Sequence, residues 1–318
     1  MNMIFKKYFK NIKPRLMAGT ESKIDKLSIV TGQIAARSLK KEGNIHHLNE
    51  IGFSIYSQFD EDGIIEWLIQ RIPISSSRFI EFGVENYLES NTRFLLMNRN
   101  WKGLIMDSSE DYISYIRNDG IYWRHDLTAI SAFITPNNVN SLFEKAGYTG
   151  NIGLLSIDAG GMDYWIWKEI KVINPDIVIC EYNAVFGDMY PLVIPYQVDF
   201  ISRNTHYSGL YWGASTKAFE LLAQEKGYVL IGSNIGGCNL FFVRKDLYPY
   251  MEKLIVNKQS RPSRLRDSRS EERKLTYLGG QKRFEAIKHL SVINLGTGQT
   301  VKLETLDVYG SEWLSIMQ

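Results

Sequence analysis

Three apolar runs each stop at an acidic residue: FIEFGVEN from Phe79, GLIMDSSE from Gly103 and LLSIDAGGMDYW from Leu154. A fourth, IVICEYN from Ile177, ends at Glu181. In an open parallel sheet the carboxyl ends of neighbouring strands face one crevice, so carboxylates placed there gather around one ligand. The pattern therefore describes a fold and a site together.

The rest of the main segment agrees. Strands are expected at 103–107, 121–126, 152–158 and 176–182, separated by helices at 110–117, 137–146 and 162–171, and such alternation means βαβ units. Asp60 is placed to cap a helix through EDGIIEWLIQRI, and Asn91 or Thr92 a helix after the first strand. After a helix at 215–226, YVLIGSN and CNLFFVR flank IGG, which reads as a hairpin closing one edge of the sheet. The expected fold is α/β, a class I methyltransferase-like, mostly parallel sheet with a C-terminal antiparallel hairpin. It divides into an N-terminal helical segment (1–50), the α/β domain (51–250) and a C-terminal extension (251–318). The unpatterned stretch from Ala184 to Trp212 is long enough to be a lid or substrate loop.

The first strand narrows the ligand. A dinucleotide fold carries G-x-G-x-x-G here, because a pyrophosphate must lie against bare backbone. This chain has only Gly83, followed by Val84, Glu85, Asn86 and Tyr87. An acidic, glycine-poor loop suits a cationic ligand such as S-adenosylmethionine better than NAD or ATP. Asp107, at the end of the second strand, is then placed for the ribose hydroxyls, a role common to NAD sites as well.

Composition excludes some classes. A net charge of +2, from 37 basic and 35 acidic residues in 318, gives no reason to expect nucleic acid. The two cysteines, Cys180 and Cys238, lie inside apolar runs and read as buried reduced thiols of a cytoplasmic protein. In MNMIFKKYFKNIKPRL, Ile4, Phe5, Tyr8, Phe9, Ile12 and Leu16 form one stripe among five basic residues. Such a helix suits either an anionic membrane surface or packing on the body or another subunit. Residues 21–42 carry a second stripe, through Ile24, Leu27, Ile29, Ile34 and Leu39, expected to make homo-oligomer contacts.

The strings SQFDEDGIIEWLI, FIEFGVENYLESNTRFLLMNRNWKGLIMD, WRHDLTA, LLSIDAGGMDYWIWKEI, CEYNAVFG, YWGAS and NLFFVRKDL resemble the FkbM-like methyltransferases of bacterial surface-glycan biosynthesis, over roughly residues 50–250. The resemblance implies S-adenosylmethionine binding and O-methylation of a sugar, with a glycan or a nucleotide- or lipid-linked sugar as acceptor. By position it assigns Glu81, Gly83, Asn86 and Asn91 to the first cofactor loop, Asp107 and Ser108 to the ribose end and Asp126 to the adenine end. One departure stands out. Where the family reads S-I-D-I-D-G-N-D-Y, this chain has Ser156-Ile157-Asp158-Ala159-Gly160-Gly161-Met162-Asp163-Tyr164, lacking the second acid and the asparagine.

A sugar hydroxyl is a weak acid, so methyl transfer to it needs a base or a metal. Asp158, Glu181 and Asn183 form a candidate oxygen-ligand set for a divalent cation such as Mg. Without a metal, Asp163 or His206 is the candidate base. Each residue also has a plainer use: Asp163 as a helix cap, Glu181 as the partner of a buried cation, His125 and His206 as ordinary polar groups. Trp165 and Trp167 read as core, and RPSRLRDSR (261–269) as a solvated loop or, alternatively, a dock for an anionic glycan or lipid carrier. Two further classes stand beside the enzyme: a pseudoenzyme that binds without turnover, and, more weakly, a nicotinamide-dependent oxidoreductase.

Overall fold

The computed structural model describes residues 23–317. The N-terminal stripe from Ile4 to Leu16 lies outside them. A helix, α1, spans residues 23–38, and Ile24, Leu27, Val30 and Ile34 on it are exposed, whereas Ala36 and Leu39 are buried. The end of this segment is tied to α2 (Glu61–Arg71) through Gln70 Nε2 to the Ala36 carbonyl at 2.9 Å and Arg71 Nη2 to the Leu39 carbonyl at 2.8 Å. Asp60 precedes α2 but does not cap it through its side chain; its Oδ1 accepts from the Ile235 amide instead.

The α/β body follows in the order β1 (Arg78–Phe82), α3 (Arg93–Arg99), β2 (Lys102–Asp107), α4 (Glu110–Asn118), α5 (Gly120–Arg124), β3 (Leu127–Ser131), α6 (Val139–Lys145), β4 (Gly150–Ile157), α7 (Asp163–Glu169) and β5 (Ile173–Glu181). After β6 (Leu192–Val193) and α8 (Ser202–Thr205) come α9 (Thr216–Lys226), β7 (Tyr228–Ser233) and β8 (Asn239–Arg244). The main sheet has the order β3-β2-β1-β4-β5-β8-β7, parallel from β3 to β5, with β8 antiparallel to both its neighbours. This is the class I methyltransferase-like arrangement expected, with the hairpin placed at residues 228–244. Local chemistry sets the ends of α9: the Ser215 hydroxyl accepts from the Ala218 amide, and Gly227 at φ 79° closes the helix in a left-handed turn.

Alternate side chains of each strand feed two apolar layers. Ile80, Phe82, Leu155 and Val178 join one, and Phe79, Leu154, Ile177 and Ile179 the other, as a sheet covered on both faces requires. Trp167 belongs to the first layer, its ring 5.0 Å from that of Phe242. Cys180 and Cys238 are buried free thiols.

The third expected strand is corrected. Residues 121–126 do not extend; the Asp119 carboxylate accepts from the Ile121 amide at 2.7 Å and starts the short helix α5, so β3 begins only at Leu127. The remaining chain forms α10 (Gln281–Ile287), β9 (Ser291–Asn294), β10 (Gln299–Lys302) and α11 (Ser311–Met317). β9 pairs with β10 and with β6, and Ile287, Val292, Leu303 and Trp313 enter the first apolar layer. No described helix is long and apolar enough to cross a membrane.

Candidate active site

The strand order reverses between β1 and β4, and the loops leaving these two strands meet there. Gly83, at φ +79°, packs so tightly on the Asp158 backbone that a Cβ on it would stand 2.0 Å from that carbonyl oxygen. Such a switch point opens a crevice at the carboxyl ends of the strands. Here it is a cleft of about 420 Å³ bordered by Gly83 and Glu85 after β1, Asp107 and Ser108 after β2, and Asp158 to Gly160 after β4. Phe133, Ile134 and Pro136 after β3 form one apolar wall, and Tyr196, Val198 and Phe200 from the long segment before α9 form another. Glu85, Asp107 and Asp158 are the charged side chains of this lining, and no Lys, Arg or His joins them among the described residues.

Each acid is held by its own surroundings. Asp107 Oδ2 accepts from the Glu85 amide at 2.9 Å and Oδ1 from the Ser109 amide at 2.8 Å, which ties the β1 loop to the start of α4. Asp163, at the first turn of α7, is fully buried; its two oxygens take the Ala159 and Gly161 amides at 3.0 and 3.1 Å and brace the β4 loop. It is thus a loop clamp and not the side-chain cap of a helix. Gly161, at φ +108°, has no room for a side chain, since a Cβ would meet Phe200 at 2.8 Å and Trp212 at 2.9 Å.

Asp158, Asp163 and Glu181 converge, with one oxygen of each within 4.8 Å of the others. Glu181, at the end of β5, has no hydrogen-bond or ion-pair partner for its carboxylate among the described residues. Burial and the neighbouring Asp158 and Asp163 raise it well above the usual carboxylate range. Asp158 opens to the cleft, yet removal of water by the enclosing walls, with the charges of Glu81, Glu85 and Asp107 added, lifts it to about 6. Burial and Asp158 lift Asp163 to about 7. Three acids this close disfavour one another's ionisation, so the cluster favours a bound proton or a cation.

A second pocket, of about 160 Å³, adjoins the cleft through Gly160 and Ser202 and is bordered by Glu181, Trp212, Asp267 and Arg283. The acid cluster thus stands between the two cavities: Asp158 borders one and Glu181 the other.

Of the residues expected in the site, Gly83, Asp107, Ser108, Asp158, Asp163 and Glu181 are brought together. Six are placed differently. Glu81 is buried and spends its carboxylate on the Ser90 and Thr92 hydroxyls and the Asn91 and Thr92 amides, fixing the start of α3. Asn91 bonds Ser156 Oγ, and Asn86 turns back on the Leu88 amide; neither borders the cleft. Asp126 sits at the amino end of β3, paired with Lys102 at 3.2 Å, so the residues after Ser131 take the position expected of it. Asn183 borders the second pocket, but its amide is spent on the Leu210 and Trp212 carbonyls and the Val185 amide, which leaves Asp163 in its place among the clustered oxygens. His206 bonds Ser208 Oγ at 2.7 Å and packs by His289, outside both linings; burial and His289 lower its pKa. Glu85 was signalled by its distance from Gly83, whereas the apolar walls and Arg283 carried no local signal.

No protein-family model matches the chain, and no curated protein does. Among solved structures, similarity extends to an S-adenosylmethionine-dependent methyltransferase from Clostridium acetobutylicum, at 10% identity over 58% of this chain and 90% of that one, TM-score 0.38. The N-terminal domain of EvdMO1 with S-adenosylhomocysteine bound is 12% identical over 67% and 95%, TM-score 0.40. An O-methyltransferase from Bacillus cereus in complex with S-adenosylhomocysteine is 13% identical over 53% and 74%, TM-score 0.35. The fold assignment rests on the strand order of this chain.

Proposed function

We propose that the protein is an S-adenosylmethionine-dependent O-methyltransferase acting on a sugar hydroxyl of a bacterial surface glycan or its precursor. The observation that carries the cofactor is the cleft at the switch point, which presents three carboxylates and no basic side chain. That lining favours a ligand bearing an ammonium and a sulfonium and opposes a pyrophosphate, which also weighs against the nicotinamide reading. In this reading Asp107 and Glu85, which border the cleft, take the ribose hydroxyls, and Phe133, Ile134 and Phe200 cover the purine ring. The sugar acceptor follows from the resemblance of the motifs.

S-adenosylmethionine bound there supplies an electrophilic methyl group. Asp158 stands at the boundary of the cleft and the second pocket, with a pKa of about 6 that suits a general base near neutral pH. It takes the hydroxyl proton as the oxygen gains the methyl group and the sulfur regains its electron pair. Asp163 holds the loop that carries Asp158. Three uncompensated carboxylates also fit a hard divalent cation such as Mg, held by Asp158, Asp163 and Glu181; it would lower the pKa of a bound hydroxyl.

The pseudoenzyme reading draws on Gly160 and Met162. Gly160 lies at φ +60°, a region aspartate tolerates, and a Cβ there meets nothing within 4 Å, so Gly160→Asp restores the family acid without a clash. Titration calorimetry with S-adenosylhomocysteine and NADH side by side tests the cofactor: binding of NADH alone would sink the proposal. Transfer of labelled methyl to a glycan extract, lost in Asp158→Asn, tests the enzyme against the pseudoenzyme.

A further inference from the structure

A third cavity, of about 320 Å³, lies beyond the second pocket and shares Ala184, Ser263 and Arg283 with it. Arg261, Arg264, Arg266 and Arg283 border it, and no acidic residue does among the described residues. Arg283, projecting from α10, is only 6% exposed. Its Nη1 reaches the Leu265 carbonyl and, at 3.1 Å, Asp267, whose side chain is mostly in solvent; its Nε is buried with no partner. A guanidinium is costly to bury when its donors are not all used. Arg261, Arg264 and Arg266 form no ion pair among the described residues. Four arginines bordering one cavity, with the exposed Asp267 carboxylate on Arg283 as their one ion-pair partner among the described residues, make a site for an anion with several oxygens.

The order of the cavities decides which anion. The chain provides a cation-selective cleft, then a small pocket at the acid cluster, then an arginine pocket, joined through shared walls. A ligand anchored in the third cavity and extending past Arg283 would bring its far end to Glu181, beside Asp158. We infer that the arginine pocket binds a diphosphate, so that the acceptor is a sugar still linked through diphosphate to its carrier and is methylated before polymer assembly. This rests on the methyltransferase reading for the identity of the reacting group, but not for the pocket itself. One phosphate would engage two forks, and four forks match the two phosphates of a diphosphate. Ile235, Tyr309 and Ile316 line the same cavity and offer apolar surface to whatever follows the diphosphate, a nucleoside or an isoprenoid.

The test uses the full chain in Mg-free buffer, with inorganic pyrophosphate, UDP, a short-chain isoprenyl diphosphate and inorganic phosphate as calorimetric probes, and S-adenosylhomocysteine measured on the same preparations. Pyrophosphate is expected to bind more tightly than phosphate. Arg264→Gln and Arg266→Gln, both on exposed side chains and therefore safe for folding, are each expected to weaken it by about tenfold or more without changing affinity for S-adenosylhomocysteine. Tighter binding of UDP than of pyrophosphate assigns the carrier as a nucleotide, and tighter binding of the isoprenyl diphosphate assigns a lipid. No preference for diphosphate over phosphate, or indifference to both substitutions, overturns the inference. Binding of S-adenosylhomocysteine with no diphosphate site leaves the methyltransferase reading standing alone. The converse leaves the pocket and removes that reading.

Discussion

Asp107→Asn separates the cofactor assignment from mere loop structure. The carboxylate receives two backbone amides, Glu85 at 2.9 Å and Ser109 at 2.8 Å, and still borders the cleft. An asparagine keeps one acceptor and turns an amide group toward the other N–H, so one partly exposed donor loses its protein partner at a cost of about 0.5–1.5 kcal/mol in stability. The ribose loses a charge-assisted bond worth about 1.5–3 kcal/mol, which is about 10- to 160-fold in the dissociation constant. Calorimetry with S-adenosylhomocysteine, paired with a thermal melt, reads the two effects apart. Asp126→Asn is the control: its ion pair with Lys102 is exposed and stands at the opposite end of the sheet, so affinity should not move. If Asp107→Asn binds as the natural chain does, or Asp126→Asn does not, the placement of the ligand at the carboxyl ends of β1 and β2 is wrong.

Gly83→Ala is expected to lower stability by about 1–3 kcal/mol, from left-handed strain plus the clash with the Asp158 carbonyl, and an unchanged melting temperature would contradict the close approach. Mg affinity should rise as pH increases from 5.5 to 8, because Asp158 at about 6 and Asp163 at about 7 must lose protons to serve as ligands; a flat calorimetric profile would remove these residues from the cation's shell. Glu181→Gln breaks no hydrogen bond and removes one of three crowded charges. A carboxylate raised in the folded state weakens folding above its ordinary range and not below it, so this variant should melt higher than the natural chain at pH 8, match it near pH 4, and lose Mg affinity. Equal melting temperatures at pH 8 would show that Glu181 is not raised in the folded chain.

The parallel core was legible because strands buried on both faces must be apolar throughout, and Asp107, Asp158 and Glu181 end such runs. What failed were roles set by side-chain hydrogen bonds. The aromatic pair Tyr122-Trp123 reads as strand by propensity, but the Asp119 cap nucleates α5 and moves Asp126 to the amino end of β3. Glu81 and Asn183 have site-like types at site-like positions, and only the geometry shows their oxygens and amides already committed to the backbone. Arg283 sits in a short helix whose pattern is ordinary, and its importance comes from residues 261–266 folding over it, a contact no periodicity encodes.

The pairing of β6 with β9 carries a consequence for how such a chain diversifies. Leu192 and Val193 belong to the segment that also walls the cleft at the switch point, and they are stitched to a ribbon made by residues 291–302. The arginine cavity, in turn, is built entirely from positions 184 onward. On the proposed function, the acidic strand ends that face the donor precede residue 182, whereas one wall of the donor cleft and the whole acceptor cavity follow it. If that function holds, recombination after β5 would exchange what is modified while preserving how, provided the incoming segment rebuilds the wall at residues 196–200 and its ribbon still docks on the short partner strand.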